Sequence, residues 1–296
     1  MNLFDRLVDQ ALSNRQDLAP LRVVVEKELL HHDIMLTLSS AGLLAGLTFI
    51  GGTCLRACYG SNRLSEDLDF TGGAGFDRER LAALARVLVE KLKGKYGLVV
   101  EVSEPVREQG NVATWKLKVQ TRPGRKDMPA QRINIDVCSI PSYQAMPTVL
   151  LNPYGVEMGT SGLILQAESR EEIYTDKIVA FALRPNRIKN RDLWDMAWLH
   201  QQGVKPALDL LADKLKDHQV GANEFLAELE RRVGWLNSDV QIAADFRNEM
   251  RRFLPVLLVE QTVMQAAFWQ FLVGHMNGLH IQARSALTGA VPPFSM

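Results

Sequence analysis

The stretch "FIGGTCLRACYGSNRLSEDLDF", residues 49–70, decides how the chain is read. It leaves an apolar run through Gly51-Gly52-Thr53 and arrives at Asp67 and Asp69, with one apolar residue between them. Alternate residues of a strand share a face, so a strand over 67–70 carries both carboxylates on one side. Two ionised carboxylates that close repel each other unless a cation lies between them. Upstream, "LTFIG" (47–51) reads as a short strand ending at the glycines, residues 53–59 suit one or two helical turns, and "SNRLSE" reads as a loop.

Paired carboxylates suit a hard divalent cation, Mg²⁺ or Mn²⁺, which takes few protein oxygens and fills its shell with water and phosphate oxygens. A third carboxylate on a neighbouring strand would complete such a centre. Asp136 in "RINIDVCSI" (132–140) fits, because it stands in an otherwise apolar strand where an unpaired charge is expensive. The glycine turn supplies the other half, since its backbone N–H groups and the Thr53 hydroxyl can approach a phosphate closely. Asp-x-Asp alone is commonplace on solvated strand edges. The order strand, Gly-Gly-Thr, short helix, Asp-x-Asp strand and later Asp-bearing strand is far more specific.

That order is similar to the DNA polymerase β-like nucleotidyltransferase superfamily. More closely, Gly51, Gly52, Thr53 and Leu55, followed by Arg63, Ser65, Glu66, Asp67 and Asp69, resemble the AbiEii/AbiGii toxin family. The resemblance extends to Lys177, Arg184 and "RDLWD", with Arg191, Asp192 and Asp195, and so covers residues 50 to 200. It implies an α+β fold, a polymerase β-like nucleotidyltransferase core with a mixed sheet followed by a helical C-terminal domain. It implies Mg²⁺-dependent transfer of a nucleoside monophosphate from a nucleoside triphosphate to an acceptor, in some members the 3′ end of tRNA. Metal ligation then falls to Asp67, Asp69 and Asp136. Nucleotide binding falls to Gly51, Gly52, Thr53, Arg63, Ser65 and Lys177. Lys177, Asp192 and Asp195 complete the catalytic set, the aspartates fixing a cation or serving as general base. The biology implied is a toxin of a type IV-like toxin–antitoxin or abortive-infection, phage-defence system, with an antitoxin encoded by a neighbouring gene. Two other readings stay open, an enzyme of this fold that attaches AMP or phosphate to a protein, and a nucleotide-binding regulator without turnover.

The rest of the chain bounds these readings. It has 296 residues, 47% hydrophobic and 23% charged, a globular composition long enough for two ordinary domains. Lys plus Arg and Asp plus Glu both number 34, so any nucleic-acid partner must be met by a local patch rather than a global field. The run "RPNRIKNR" (184–191) is one such patch. Cys54, Cys58 and Cys138 cannot pair completely and read as buried thiols. The amphipathic, acid-containing N-terminus is unlike a signal peptide, and no apolar run reaches a membrane span of ~18 residues. The expectation is a cytoplasmic protein.

Helical spacing marks 3–13, 20–45 and 75–97, and strands are expected at 98–103, 112–121, 132–140 and 162–167, with "RPGRKDMPA" as a hairpin loop. From residue 169 the texture turns helical. Ser169 with an acid three residues on is a capping box. "NRDLWDMAWLHQQG" and residues 205–217, 222–234, 238–254 and 258–284 follow as helices. The expected domains are a nucleotidyltransferase core over 1–168 and a helical domain over 169–296 that contributes to the active cleft. The tryptophans read as core.

Overall fold

The computed structural model describes residues 2–105, 111–122, 124, 129–185 and 187–289. Its contacts divide the chain into two compact units, Met1–Glu168 and Ser169–Met296. The first unit is α+β. It runs α1 (Leu3–Asn14), α2 (Arg22–Ser40), β1 (Thr48–Ile50), α3 (Gly51–Tyr59), β2 (Leu68–Thr71) and α4 (Leu84–Tyr96). Five strands follow, β3 (Val99–Ser103), β4 (Val112–Gln120), β5 (Gln131–Cys138), β6 (Ala145–Val149) and β7 (Ile164–Glu168).

The seven strands form one mixed sheet in the order β3-β4-β5-β2-β1-β7-β6. The β2–β5 and β1–β7 pairs are parallel and the others antiparallel. Burial alternates along β4 and β5. Ala113, Trp115, Leu117 and Val119 lie in the core with Ile133, Ile135 and Val137, and the residues between them face outward.

Some boundaries differ from the sequence expectation. The helix expected over 20–45 ends at Ser40. There the Leu43 N–H bonds back to the Leu38 carbonyl at 2.9 Å, with Gly42 at φ 71° supplying the left-handed residue that this closure needs. Strand β6 was not expected. It is a short, exposed edge strand containing Pro147, and such a strand carries little apolar alternation. Most of the expected hairpin loop between β4 and β5 lies outside the described residues.

Helix α2 is buried almost all round, so its polar residues need partners. Glu26 accepts from the Gln131 amide at 2.7 Å and pairs with Arg122. Asp33 accepts from Lys95 and from the Tyr96 hydroxyl, each at 2.5 Å. A His32 ring nitrogen lies 2.8 Å from the Thr160 hydroxyl. Cys54 and Cys58 are buried and Cys138 is half-buried.

The second unit is helical, with α5 (Arg170–Leu183), α6 (Asn190–Gln201), α7 (Leu211–Asp217), α8 (Ala222–Ser238), α9 (Val240–Met250), α10 (Val256–Gln261) and α11 (Ala266–Thr288). The Ser169 hydroxyl caps α5 by accepting from the Glu172 N–H at 3.1 Å. The helix expected over 258–284 is broken into α10 and α11. The break falls at Thr262 and Val263, whose branched side chains favour extended over helical backbone. Lys214 of α7 is fully buried and pairs with Glu172 at 2.5 Å and Asp176 at 2.9 Å, fastening α7 to α5. Trp194 and Trp198 are core residues, while Trp235 and Trp269 are half-buried. Among the described residues no helix is long and apolar enough to cross a membrane.

Candidate active site

In the first unit the site begins with sheet register. Asp69 of β2 pairs with Ile50 of β1 on one side and Asp136 of β5 on the other. Residues paired across a parallel ladder point to the same face, so Asp69 and Asp136 stand side by side at the ~4.8 Å strand spacing. Asp67 does not belong to the strand, as the sequence suggested, but precedes it by one residue. Its Oδ1 accepts from the Asn134 main-chain N–H at 2.9 Å, which fixes the carboxylate against β5. Asp69 and Asp136 are thus neighbours in the sheet, Asp67 is held against β5 just before β2 begins, and all three are half-buried.

Gly51 faces them. The expected turn over Gly51-Gly52-Thr53 is the first turn of α3 itself, which follows β1 directly. Gly51 has φ +73°, and a Cβ there would stand 3.2 Å from Asp69 Oδ2. Only glycine allows both the backbone conformation and the closeness. The N-cap position of α3 is Ile50, whose side chain has no acceptor to offer the leading N–H groups of the helix.

Thr53 and Ser65 are 2% and 5% exposed, and their hydroxyls lie 2.5 Å apart. The Thr53 hydroxyl donates to the Asp67 carbonyl, so Ser65 is the donor to Thr53. Both therefore brace the loop that presents Asp67. Arg63 is also buried and donates to the Leu64 carbonyl at 3.0 Å.

Beneath this loop lies a network that sequence reasoning missed. Glu28 of α2 accepts from Arg56 Nε at 3.0 Å, from the Ser65 N–H at 2.7 Å and from the Tyr154 hydroxyl. Arg56 Nη1 donates to the Ser61 carbonyl at 2.8 Å. Lys27 pairs with Glu66 at 2.8 Å, and His31 Nε2 lies 3.0 Å from the Glu66 carbonyl. Residues 61–67 are pinned along one side of α2. The available signal was the run "VVVEKELLHHD", where charged residues interrupt helix positions that periodicity assigns to the core.

In the second unit Lys177 of α5 is 6% exposed and held between two aspartates of α6. Its Nζ lies 2.8 Å from Asp192 Oδ1 and 2.8 Å from Asp195 Oδ2. Asp195 is fully buried. Burial alone would raise the Asp192 pKa, but Lys177, with Lys189 and Arg184, outweighs it and holds the carboxyl well below the usual range. Arg184 Nη2 stands 3.5 Å from Asp192 Oδ2. Arg191 lies over Phe253 and pairs with Glu249 at 3.4 Å. The role of these aspartates that the geometry displays is the fixing of a buried ammonium.

A comparison with solved structures finds MenT4, a nucleotidyltransferase toxin from Mycobacterium tuberculosis, at 15% identity and TM-score 0.51 over 97% of this chain and 98% of that one. JHP933 from Helicobacter pylori is more distant in fold, at 13% identity and TM-score 0.46 over 89% of this chain and 96% of that one. No curated protein matches. The family described as nucleotidyl transferase AbiEii toxin, type IV toxin–antitoxin system, matches residues 33–274, which include Asp67, Asp69 and Asp136 and also Lys177, Asp192 and Asp195. The chain therefore belongs to the AbiEii nucleotidyltransferase toxin family.

Proposed function

We propose that the chain transfers a nucleoside monophosphate from a nucleoside triphosphate to the 3′ end of a tRNA, with Mg²⁺ (or Mn²⁺) held by Asp67, Asp69 and Asp136. Family membership gives a toxin nucleotidyltransferase, a triphosphate substrate and a cognate antitoxin. The observation that carries the finer reading is the pairing of Asp69 with Asp136 beside the glycine-opened end of α3. The donor set fits the ion, being carboxylate oxygens alone with one acid oriented by a main-chain N–H. When bound, such an ion activates an attacking hydroxyl and offsets charge on the phosphates.

The chain's own groups have separate work. The leading N–H groups of α3, at Gly51 and Gly52, receive phosphate oxygens, and Thr53, Ser65 and Arg63 keep that loop in shape. Lys177 offsets negative charge that grows toward the leaving pyrophosphate, and Asp192 and Asp195 keep it charged and aimed. A polyanionic acceptor is supported by Lys116 and Arg132, both exposed on the face of β4 and β5 that carries Asp136, and by the cations of 184–191. The work is assigned to the bacterial cytoplasm, where both reactants reside, as part of a growth-arrest response that can serve phage defence.

The test is transfer from each of the four α-³²P ribonucleoside triphosphates, with Mg²⁺, into total RNA and total protein. Label in a tRNA-sized band, absent with Asp69→Asn, supports the proposal and names the base. Label in protein instead moves the function to protein modification, and bound triphosphate without transfer moves it to nucleotide sensing.

A further inference from the structure

Arg232 of α8 is 2% exposed and heads the fully buried side chains by volume. Its Nη2 donates to the main-chain carbonyl of Arg184, at the end of α5. Its Nε and Nη1 are buried and have no hydrogen-bond partner among the described residues. Its guanidinium carbon lies 4.5 Å from the centroid of the Trp235 ring, which Arg231 shares at 4.6 Å. The acid near Arg232 on its own helix, Glu228, is engaged by Arg231. Arg184 repeats the pattern, with a buried Nε that lacks a partner among the described residues and only a 3.5 Å approach to Asp192.

A guanidinium cannot shed its proton to escape this situation. Stacking on an indole is a weak attraction. Burying a charge without an opposing one costs several kcal/mol, so the ring does not compensate it. Burial and the neighbouring Arg231 both work against the charged form of Arg232, and Glu228 offsets them only in part. A side chain kept charged, buried and short of acceptors is suited to an acceptor that arrives with a ligand. Guanidinium N–H groups match phosphate oxygens in geometry and charge.

We propose that Arg232, anchored through the Arg184 carbonyl and assisted by Arg184, is a receptor for a phosphoryl oxyanion brought by the reactants. The proposal deepens the nucleotidyltransferase reading and rests on it for the source of the phosphate. That source is either the triphosphate or the phosphodiester backbone of an RNA acceptor, and Arg232 lies outside the stretch on which the family resemblance was read.

The experiment uses the full chain with Arg232→Met and Arg232→Lys. Calorimetric titration with inorganic tripolyphosphate, and separately with a short single-stranded RNA lacking a 5′-phosphate, is read beside thermal denaturation. Arg232→Met should melt no lower than the parent, because methionine fills the space without the uncompensated charge. It should weaken one probe by about tenfold or more, with Arg232→Lys recovering part of the loss. Loss of tripolyphosphate affinity identifies the triphosphate as the source. Loss of RNA affinity alone identifies the acceptor. Unchanged affinity for both probes in Arg232→Met, or in Arg232→Lys should the methionine variant not fold, overturns the proposal. A parent protein that transfers no nucleotide while Arg232→Met still loses tripolyphosphate affinity would sink the function and leave the receptor standing.

Discussion

Gly51 is the residue at which conformation and chemistry coincide. Its positive φ costs any other L-residue about 1–2 kcal/mol. Its missing side chain leaves the space that Asp69 occupies. Gly51→Ala is expected to lower unfolding stability by about 1–2 kcal/mol. Transfer should fall about a hundredfold, because displaced reacting groups lose rate steeply. Denaturant titration beside a transfer assay checks both. At Lys177 the two effects can be separated. Lys177→Ala leaves two buried carboxylates without their cation and should destabilise the protein by about 3–5 kcal/mol. Lys177→Met combined with Asp192→Asn and Asp195→Asn removes the charges together. It should recover most of that stability while transfer stays lost. Recovery of transfer would show that Lys177 only holds the helices together.

At the scale of elements, α2 is the support on which the acidic loop rests. Glu28→Ala strips a buried anion from Arg56, Tyr154 and the Ser65 N–H, and should cost about 3–5 kcal/mol. Lys27→Ala removes a partly exposed pair and should cost under about 1 kcal/mol. Equal losses in urea denaturation would contradict this ranking. The elements also show what the sequence could convey. The strands β4 and β5 were legible because burial alternates along them with the strand period, whereas α5 was announced by its capping box and α6 by the glycine that follows it. Strand β6 was not, since an edge strand containing Pro147 is neither apolar nor regular. The placement of Asp67 outside β2 was hidden too, because a single hydrogen bond from Asn134 decides it. The bracing role of Thr53 and Ser65 was equally out of reach. A hydroxyl near a glycine turn reads the same whether it faces a ligand or a neighbouring carbonyl.

For the whole molecule, buried His32 and half-buried His275 set a shared response to acid. Burial pushes His32 in the first unit and His275 in the second down to about 4. His31 adds to the effect on His32, and His200 to that on His275. Unfolding restores a value near 6.5, so between those limits the unfolded chain binds more protons than the folded one. Stability is therefore fully present above about pH 6.5 and declines as pH falls toward 4. The melting temperature should drop between pH 7 and pH 5, with a flatter slope in His32→Gln; the same slope in that variant would remove His32 from the account.

The claim on which the rest depends is that the carboxylates gathered by the β2–β5 register form the metal centre of this nucleotidyltransferase. The measurement that tests it most directly is Mn²⁺ binding, followed by electron paramagnetic resonance, in the parent, Asp69→Asn and Asp136→Asn, each with a non-hydrolysable triphosphate present. Bound Mn²⁺ is expected in the parent, with a loss of at least about tenfold in affinity in each variant, since both acids serve one ion site. Parent-like Mn²⁺ affinity in both variants would contradict the claim.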